Sequence, residues 1–337
     1  MATISSYQFS QLTDLVDRTF VDKQKILPMV MKNSGIVDVN SMPLYTGDSK
    51  RFAERIATSQ YASVRDEGED AVEGLVQYGY EKDATVYTVA QTRSITKLMR
   101  DAGKEREIID TITNLTEIVP NTIELDLAHR LTFAWATTYT VLDGSTRTIT
   151  VGDGLALISA VHTLTGSATT YSNQITSNPA FSKGSLETAE RSFVEESYDN
   201  LGVKILVTPD TIITTDDPNT INEVRQLLNA TADVSTSNSG TSNVYANKYK
   251  LVIVPRIATT ATGAVDSTKR KYWFLASSAQ SDFYFYSLVA PYVKAPRDGN
   301  NGEEFASENW SYLTAATYLI SIVSGRWIRG SKGDASA

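Results

Sequence analysis

The feature that most restricts the fold is a stripe of apolar residues in the middle of the chain. Its members recur at spacings of three and four, which places them on one face of a helix: Ile108, Ile112, Leu115, Val119, Ile123, Leu127, Leu131 and Ala134. We predict one helix over residues 104–137, roughly 50 Å long at a rise of about 1.5 Å per residue. Pro120 lies inside it and is expected to bend or split it. A helix this long with one apolar face needs a sheet beneath it.

Residues 47–92, which precede this helix, have a different pattern. A polar stretch is followed by the acidic turn RDEGED and then by strand-favouring residues over 75–90. We predict a long two-stranded excursion with a charged turn. Ordering about 45 residues costs roughly 45–90 kcal/mol, and an isolated two-stranded hairpin is marginal in water. The excursion is therefore either mobile in the free chain or held by contacts with other molecules.

The charged residues of this excursion are candidates for such contacts. The acidic turn lacks the alternating ligand spacing of a calcium loop, so a solvated turn is favoured over cation binding or a salt bridge to another chain. Arginines in the same segment are positioned to meet acidic residues of a second copy. The candidate contact residues are Arg51, Arg55, Arg65, Asp66, Glu67, Glu69 and Asp70.

The second half of the chain predicts a small α/β unit. A hairpin over 141–151 turns at Asp143-Gly144, and a loop over 163–184 precedes a helix capped by Ser185 and running to Tyr198. We predict a strand–helix–strand order from these segments: 203–208 as a strand, 217–230 as a helix with Asp217 as N-cap and Pro218 in its first turn, and 251–254 and 272–275 as strands.

The two ends of the chain also carry patterns. A helical pattern over residues 6–32 predicts either a core helix or an arm that docks on a neighbouring subunit. At the other end, residues 283–294 and 305–329 predict a long hairpin around a turn at 297–303, with its second strand beside the long helix.

Composition narrows the classes of function. The 337 residues suggest about two domains, and a net charge of −8 argues against a general nucleic-acid binder. The absence of Cys excludes thiolate chemistry, and the presence of only two His nearly excludes a multi-histidine metal centre. The first residues lack the pattern of a signal peptide, and no apolar run is long enough to span a membrane. We expect a cytoplasmic product.

The search for catalytic motifs gives little. Gly152-Asp-Gly154 lacks the third glycine of a dinucleotide loop. His162 lies near Asp153 and Ser159, but no nucleophile-elbow motif is present, and a hydrogen-bonded structural histidine is favoured. His129 is interpreted as a helix-surface or packing residue.

The order of the predicted elements resembles the major capsid proteins of tailed bacteriophages with the Hong Kong 97 fold. The most specific local similarity is DGLALISAVHT at residues 153–163, which is similar to the family's Asp-Gly, apolar, Ser and His segment after the long helix. Asn173, the GSLETAE sequence at 184–190 and residues 202–209 continue the similarity.

The resemblance implies an α+β fold of four parts. These are an N-terminal arm (1–46), an extended β-hairpin loop (47–92), a peripheral domain with the spine helix and long hairpin (93–150 and 283–337), and an α/β axial domain (151–282). In such shells the loop lies over an adjacent subunit. No cofactor and no membrane are implied.

The same resemblance implies the partners. Copies would form the pentamers and hexamers of an icosahedral virion shell, assembled in the host cytoplasm, that encloses double-stranded DNA without sequence-specific contacts. Scaffolding, portal and decoration proteins are further partners. The negative net charge fits a DNA container, because a basic inner wall would hold the duplex too strongly.

Two other classes of function remain open at this point. One is a shell protein of an encapsulin-like nanocompartment, or another phage structural protein of the tail or of a decoration. The other is an enzyme, for instance a hydrolase that uses His162 and Asp153.

Overall fold

The computed structural model describes residues 29–42, 47–102, 104–141, 144–232, 242–294 and 308–334, together with Arg18 and Asp22. The predicted helix over residues 6–32 therefore lies almost entirely outside the described residues, as does the turn at 297–303. Within the predicted N-terminal arm, residues 29–42 contribute Met31, Ile36 and Val37 to the main core.

A short helix, α1 (Lys97–Asp101), precedes the long helix α2 (Glu105–Thr132). All eight predicted stripe residues are buried. The helix stays continuous through Pro120, so the predicted split does not occur. It ends at Thr132 rather than near residue 137, because the Ala134 amide bonds the Leu131 carbonyl in a tighter turn. At about 1.5 Å per residue, α2 is roughly 42 Å long.

A four-stranded sheet lies against the long helix, as its apolar stripe predicts. Its order is β1 (Val37–Ser41), β12 (Phe283–Lys294), β13 (Trp310–Ile322) and β6 (Tyr87–Ile95), with β1 parallel to β12 and the other pairs antiparallel. The last part of the predicted excursion is therefore a sheet strand, because β6 pairs with β13 along its whole length.

A second four-stranded sheet has the order β10 (Lys250–Ile253), β9 (Thr211–Thr214), β11 (Trp273–Ala276) and β14 (Ile328–Ser331). The strand predicted at 203–208 is wrong, since Lys204 forms only an isolated bridge there and Leu206 is exposed. The strand of this unit is β9, which begins just after Pro209 and is buried at all four positions.

The predicted final hairpin is divided between the two sheets. Its first strand is β12, as predicted, but its second half is two strands, β13 in the first sheet and β14 in the second. The chain changes sheets at residues 323–327, where Trp327 is buried in the core that the two sheets share with α2. This switch is one of the covalent links between the two sheets, alongside the connection from β11 to β12.

Two further helices cover the second sheet. In α3 (Lys183–Glu195) the N-cap is Ser182 rather than the predicted Ser185, which instead completes a capping box at the third helical position. In α4 (Pro218–Asn229) the predicted cap is confirmed, because the Asp217 side chain accepts a hydrogen bond from the Thr220 amide. Both helices pack apolar residues on the sheet face that carries Trp273 and Leu275.

Three antiparallel two-stranded pairs complete the fold. The hairpin predicted over 141–151 forms three residues earlier, as β7 (Thr138–Thr140) and β8 (Thr146–Thr148). The predicted turn is confirmed, with Gly144 in the left-handed region at φ +81°. The other two pairs belong to the predicted excursion: β2 (Ser49–Ala53) with β5 (Glu81–Thr85), and β3 (Ala57–Thr58) with β4 (Val76–Gln77).

Candidate functional site

Residues 49–85 form a projecting hairpin, here called the extended loop. β2 and β5 pair next to the body of the molecule, and β3 and β4 pair farther out. The chain reverses near Gly68, whose φ of +88° favours glycine. Phe52 packs on Leu319 and Val323 and so joins the loop to the first sheet.

The distal part of this loop, residues 56–78, exposes an unusual amount of apolar surface. Seven of the sixteen exposed large hydrophobic residues among the described residues lie in it: Ile56, Tyr61, Val64, Val72, Leu75, Val76 and Tyr78. Single exposed apolar residues are common on protein surfaces, but a concentration of them in one segment marks an interaction surface. The segment is paired only at the two-residue strands β3 and β4.

The base of the loop, by contrast, is fixed to the body by buried polar groups. The carboxylate of Glu54 lies 3.6 Å from the guanidinium of Arg326, and the Glu54 amide bonds the Tyr80 carbonyl across the hairpin at 2.9 Å. Arg326 also donates to the side chain of Asn200, which in turn donates to the Arg55 carbonyl. Burial raises the pKa of Glu54, although the Arg326 charge opposes that shift.

Two glycines allow the loop and the body of the molecule to approach one another closely at this base. A Cβ at Gly79 would lie 2.4 Å from the Glu54 Cβ and 2.7 Å from Asn200 Nδ2. A Cβ at Gly166 would lie 2.6 Å from the Gln77 Cγ. Both positions therefore require glycine, because real Cβ atoms do not approach other atoms so closely.

Two side chains of the loop reach across to the body. The hydroxyl of Tyr80 lies 2.7 Å from that of Thr163, and Lys82 Nζ donates to the Ile322 carbonyl at 3.2 Å and to the Thr150 carbonyl. Burial, with the nearby Arg130 charge, lowers the pKa of Lys82 to about 7. The base is thus anchored within its own chain. The distal part has fewer such contacts, at its inner end, where Gln60 donates to Asp199 at 2.9 Å and Thr165 donates to the Tyr78 carbonyl at 2.6 Å.

The structure places the predicted contact residues on this loop. Arg51 is already engaged within the hairpin, where it pairs with Asp83 at 2.9 Å and Glu81 at 3.1 Å. The other six residues, Arg55, Arg65, Asp66, Glu67, Glu69 and Asp70, are exposed. In the ranges that the structure describes, the side chains of those six make no ion pair. Their role as contacts between subunits stays a prediction.

The suspected catalytic group forms a structural cluster instead. His162 is fully buried, with Nδ1 2.7 Å from Asp153 and Nε2 3.2 Å from the Asn173 side-chain oxygen. That oxygen is an acceptor, because the amide nitrogen of Asn173 donates to the Leu157 and Gly325 carbonyls. Asp153 and Asn173 therefore engage both ring nitrogens, and in the described chain no hydrogen bond joins the ring to Ser159.

The electrostatics of this cluster agree with a structural role. Burial is the largest single influence on the Asp153 carboxyl and raises its pKa. The hydrogen bond and electrostatic attraction of His162, together with the backbone amides of Leu155 and Thr163, outweigh burial, so the pKa is lowered. His129, the other histidine, is buried and packs edge-on against Phe133 and Tyr139, as a packing residue. Throughout the described ranges, no group of acidic or histidine side chains is arranged to hold a metal ion.

Sequence reasoning missed the groups that fix the loop. Glu54, Asn200 and Arg326 come from three distant parts of the chain, and no motif or spacing links them. Glycines 79 and 166 were the available signal, because an isolated glycine beside a strand often marks a close approach. Among the described helices, none is both long enough and apolar enough to cross a bilayer.

The fold is that of phage capsid chains. No protein-family model matches the sequence, and no curated protein sequence matches it either. Solved structures do match.

A chain from Gordonia phage Cozz superposes with a TM-score of 0.51 at 10% identity, over 89% of this chain and 85% of that one. A chain of the capsid asymmetric unit of cyanophage Pam1 superposes with a TM-score of 0.51 at 11% identity, over 88% of this chain and 89% of that one. At these identities the likeness establishes the fold.

Proposed function

We propose that this chain is a major capsid protein, which self-assembles into an icosahedral shell around the double-stranded DNA of a tailed phage. The single observation that carries this proposal is the extended loop. Its base is rigidly anchored, and its distal part presents apolar side chains to solvent, in a chain whose fold is that of phage capsid chains. A projecting arm of this kind fits a surface on another copy.

The energetics support contacts made in an assembly. Burying an exposed Val, Leu or Ile side chain contributes roughly 1.5–3 kcal/mol. When another molecule covers the seven exposed apolar or aromatic residues of the loop, their burial offsets part of the entropy of ordering the distal part. In a closed shell every copy both offers and receives such a loop, so the contribution is repeated at every subunit.

The four-part organisation of the Hong Kong 97 fold is proposed for this chain with modified boundaries. Residues 93–150 and 283–337 correspond to the peripheral domain and residues 151–282 to the axial domain, except that β6 adds residues 87–92 to the former and β14 pairs in the sheet of the latter. Since β6 begins at Tyr87 and residues 29–42 are partly built into the main core, the extended loop ends near residue 86 and the arm is shorter than residues 1–46.

Within this proposal, copies meet as pentamers and hexamers, and the six exposed charged residues of the loop contact neighbouring subunits. The enclosed DNA is held without sequence-specific contacts, and scaffolding, portal and decoration proteins are further partners. The activity is structural rather than catalytic, which agrees with the engagement of both His162 ring nitrogens by Asp153 and Asn173.

The test is a deletion of the distal part together with Arg55. Because Phe52 is buried and β6 belongs to the main sheet, residues 55–78 are replaced by a short Gly-Ser linker between Glu54 and Gly79, which lie side by side. We expect a folded chain, with a single unfolding transition, that builds no closed particles. Closed shells of this variant in electron micrographs would contradict the role assigned to the loop.

A further inference from the structure

A partly enclosed cavity of about 490 Å³ lies where the base of the loop meets the long helix. Its walls come from β5, β6, α2, β13 and the segment around β8. Lys82, Arg130 and Arg147 all line it, and Ile320 and Ile322 form an apolar wall. Three cationic side chains around one cavity call for anionic partners, because buried charges are stable only when paired.

One carboxylate, that of Asp126, is buried nearby and is fully used. It accepts hydrogen bonds from Arg147 at 3.0 Å and from three tyrosine hydroxyls, those of Tyr318, Tyr87 and Tyr139. Arg147 also lies over the Tyr87 ring, 3.9 Å from its centroid. Asp126 and Arg147 therefore neutralise one another, and the tyrosines occupy the remaining acceptor positions of the carboxylate.

The other two cations have no carboxylate. Lys82 donates to two backbone carbonyls, which bring hydrogen bonds but no negative charge. Arg130 is more than nine-tenths buried, and its Nε has no hydrogen-bond partner in the described chain. Asp83, the acidic residue on the cavity wall, is exposed and paired with Arg51. The cavity therefore has an excess of two basic side chains over acidic ones.

We propose that this cavity is a binding site for an oxyanion, with the Arg130 guanidinium and the Lys82 ammonium as its charged contacts. A guanidinium offers a planar fork of donors that matches two oxygens of a phosphate or carboxylate, and an ammonium adds a compact point charge. The apolar wall formed by Ile320 and Ile322 strengthens these interactions, because it keeps the local dielectric constant low.

The low pKa of Lys82 supports the same site. The charged form of Lys82 is disfavoured by burial and by repulsion from Arg130. A bound oxyanion reverses that balance, so its binding is coupled to uptake of a proton by Lys82 near neutral pH. The charged or titratable groups that face Lys82 are Arg130 of α2, Arg147 beside Asp126, Asp83 of β5 and Tyr87 of β6.

Inorganic phosphate is the probe for this site. The full-length chain, kept dissociated, is titrated with phosphate by calorimetry at constant ionic strength. We expect saturable binding that Arg130→Gln weakens roughly tenfold or more, as does Lys82→Gln. The control Arg93→Gln removes an exposed arginine outside the cavity and should bind as the parent does. Thermal unfolding of each variant establishes that it is folded.

A second experiment distinguishes two sources of the oxyanion: free phosphate and the acidic turn of a neighbouring copy. Phosphate is titrated into assembled particles of the parent and of a variant with Asp66→Asn, Glu67→Gln, Glu69→Gln and Asp70→Asn. Binding to both particles identifies free phosphate as the ligand, and binding only to the variant particles identifies the turn carboxylates.

Absence of Arg130-dependent binding in the dissociated chain and in both particles would overturn the proposal. The titration of the dissociated chain remains decisive even if the chain forms no shell, so failure of the site and failure of the capsid function are distinguishable.

Discussion

At its base the extended loop is held by buried polar groups and glycine contacts, whereas in the described structure its outer residues 61–74 make no hydrogen bond to the body. Glu54, Arg326 and Asn200 connect the base to the body, whereas Val64 and Val72 farther out are 97% and 76% exposed. The base therefore fixes the direction in which the loop projects, and the distal part supplies apolar surface to another molecule. Substitutions in the base should therefore mainly lower the stability of the chain, and substitutions in the distal part should mainly impair assembly.

The largest expected effect is at the base. Arg326→Met leaves the Glu54 carboxylate buried without its cation, which should cost about 3–5 kcal/mol of unfolding free energy at pH 8. The measurement is chemical denaturation of parent and variant at pH 8 and pH 4.

The sign of the pH dependence follows from Glu54. Its folded pKa is already above the unfolded value of 4.5, and loss of Arg326 raises it further. A group of this kind loses stability as the pH rises from the unfolded toward the folded pKa, so the defect of the variant should shrink at pH 4. The double variant Glu54→Gln/Arg326→Met is the control and should lose less. An equal defect at both pH values would show that the ion pair does not anchor the loop.

A smaller effect is expected where the loop touches the body through a glycine. Gly79→Ala places a Cβ against Glu54 and Asn200 and should cost about 1–3 kcal/mol by thermal or chemical denaturation. The matched control is Gly74→Ala in the distal part, where the nearest atom would be 3.7 Å away. It should be neutral or slightly stabilising. Equal losses in both variants would remove the distinction between base and distal part.

The smallest effect on stability is expected in the distal part. Val64→Ser with Val72→Ser should change the unfolding free energy of the free chain by less than about 0.5 kcal/mol. Because each buried valine contributes roughly 1.5 kcal/mol or more, the protein concentration needed for assembly should rise at least about tenfold, as measured by light scattering.

The control for these valines carries the same change elsewhere on the surface. Val244 and Val265 are 77% and 81% exposed and lie outside the loop, so Val244→Ser with Val265→Ser should assemble as the parent does. If the two double variants impair assembly equally, the loop contributes no more to the contacts between subunits than the rest of the surface does.

The sequence by itself determined the elements that depend on local periodicity and capping. The buried face of α2, the cap at Asp217, the turn beside Gly144 and the existence of a projecting hairpin follow from side-chain spacing and turn chemistry. The exposed charges of the turn at residues 65–70 follow from composition in the same way. These features involve residues close together in the chain, where geometry alone fixes which side chains share a face.

The tertiary structure alone decided how distant segments meet. Thr211–Thr214 is a strand because neighbours pair with it on both sides, and the chain leaves the first sheet for the second at Trp327 because that side chain completes the shared core. Likewise, packing of the sheets and α2 brings distant charges together. Glu54 then attracts Arg326, and Arg130 repels the charged form of Lys82. Burial, which sets the strength of those charges, is a property of the assembled core that no local pattern encodes.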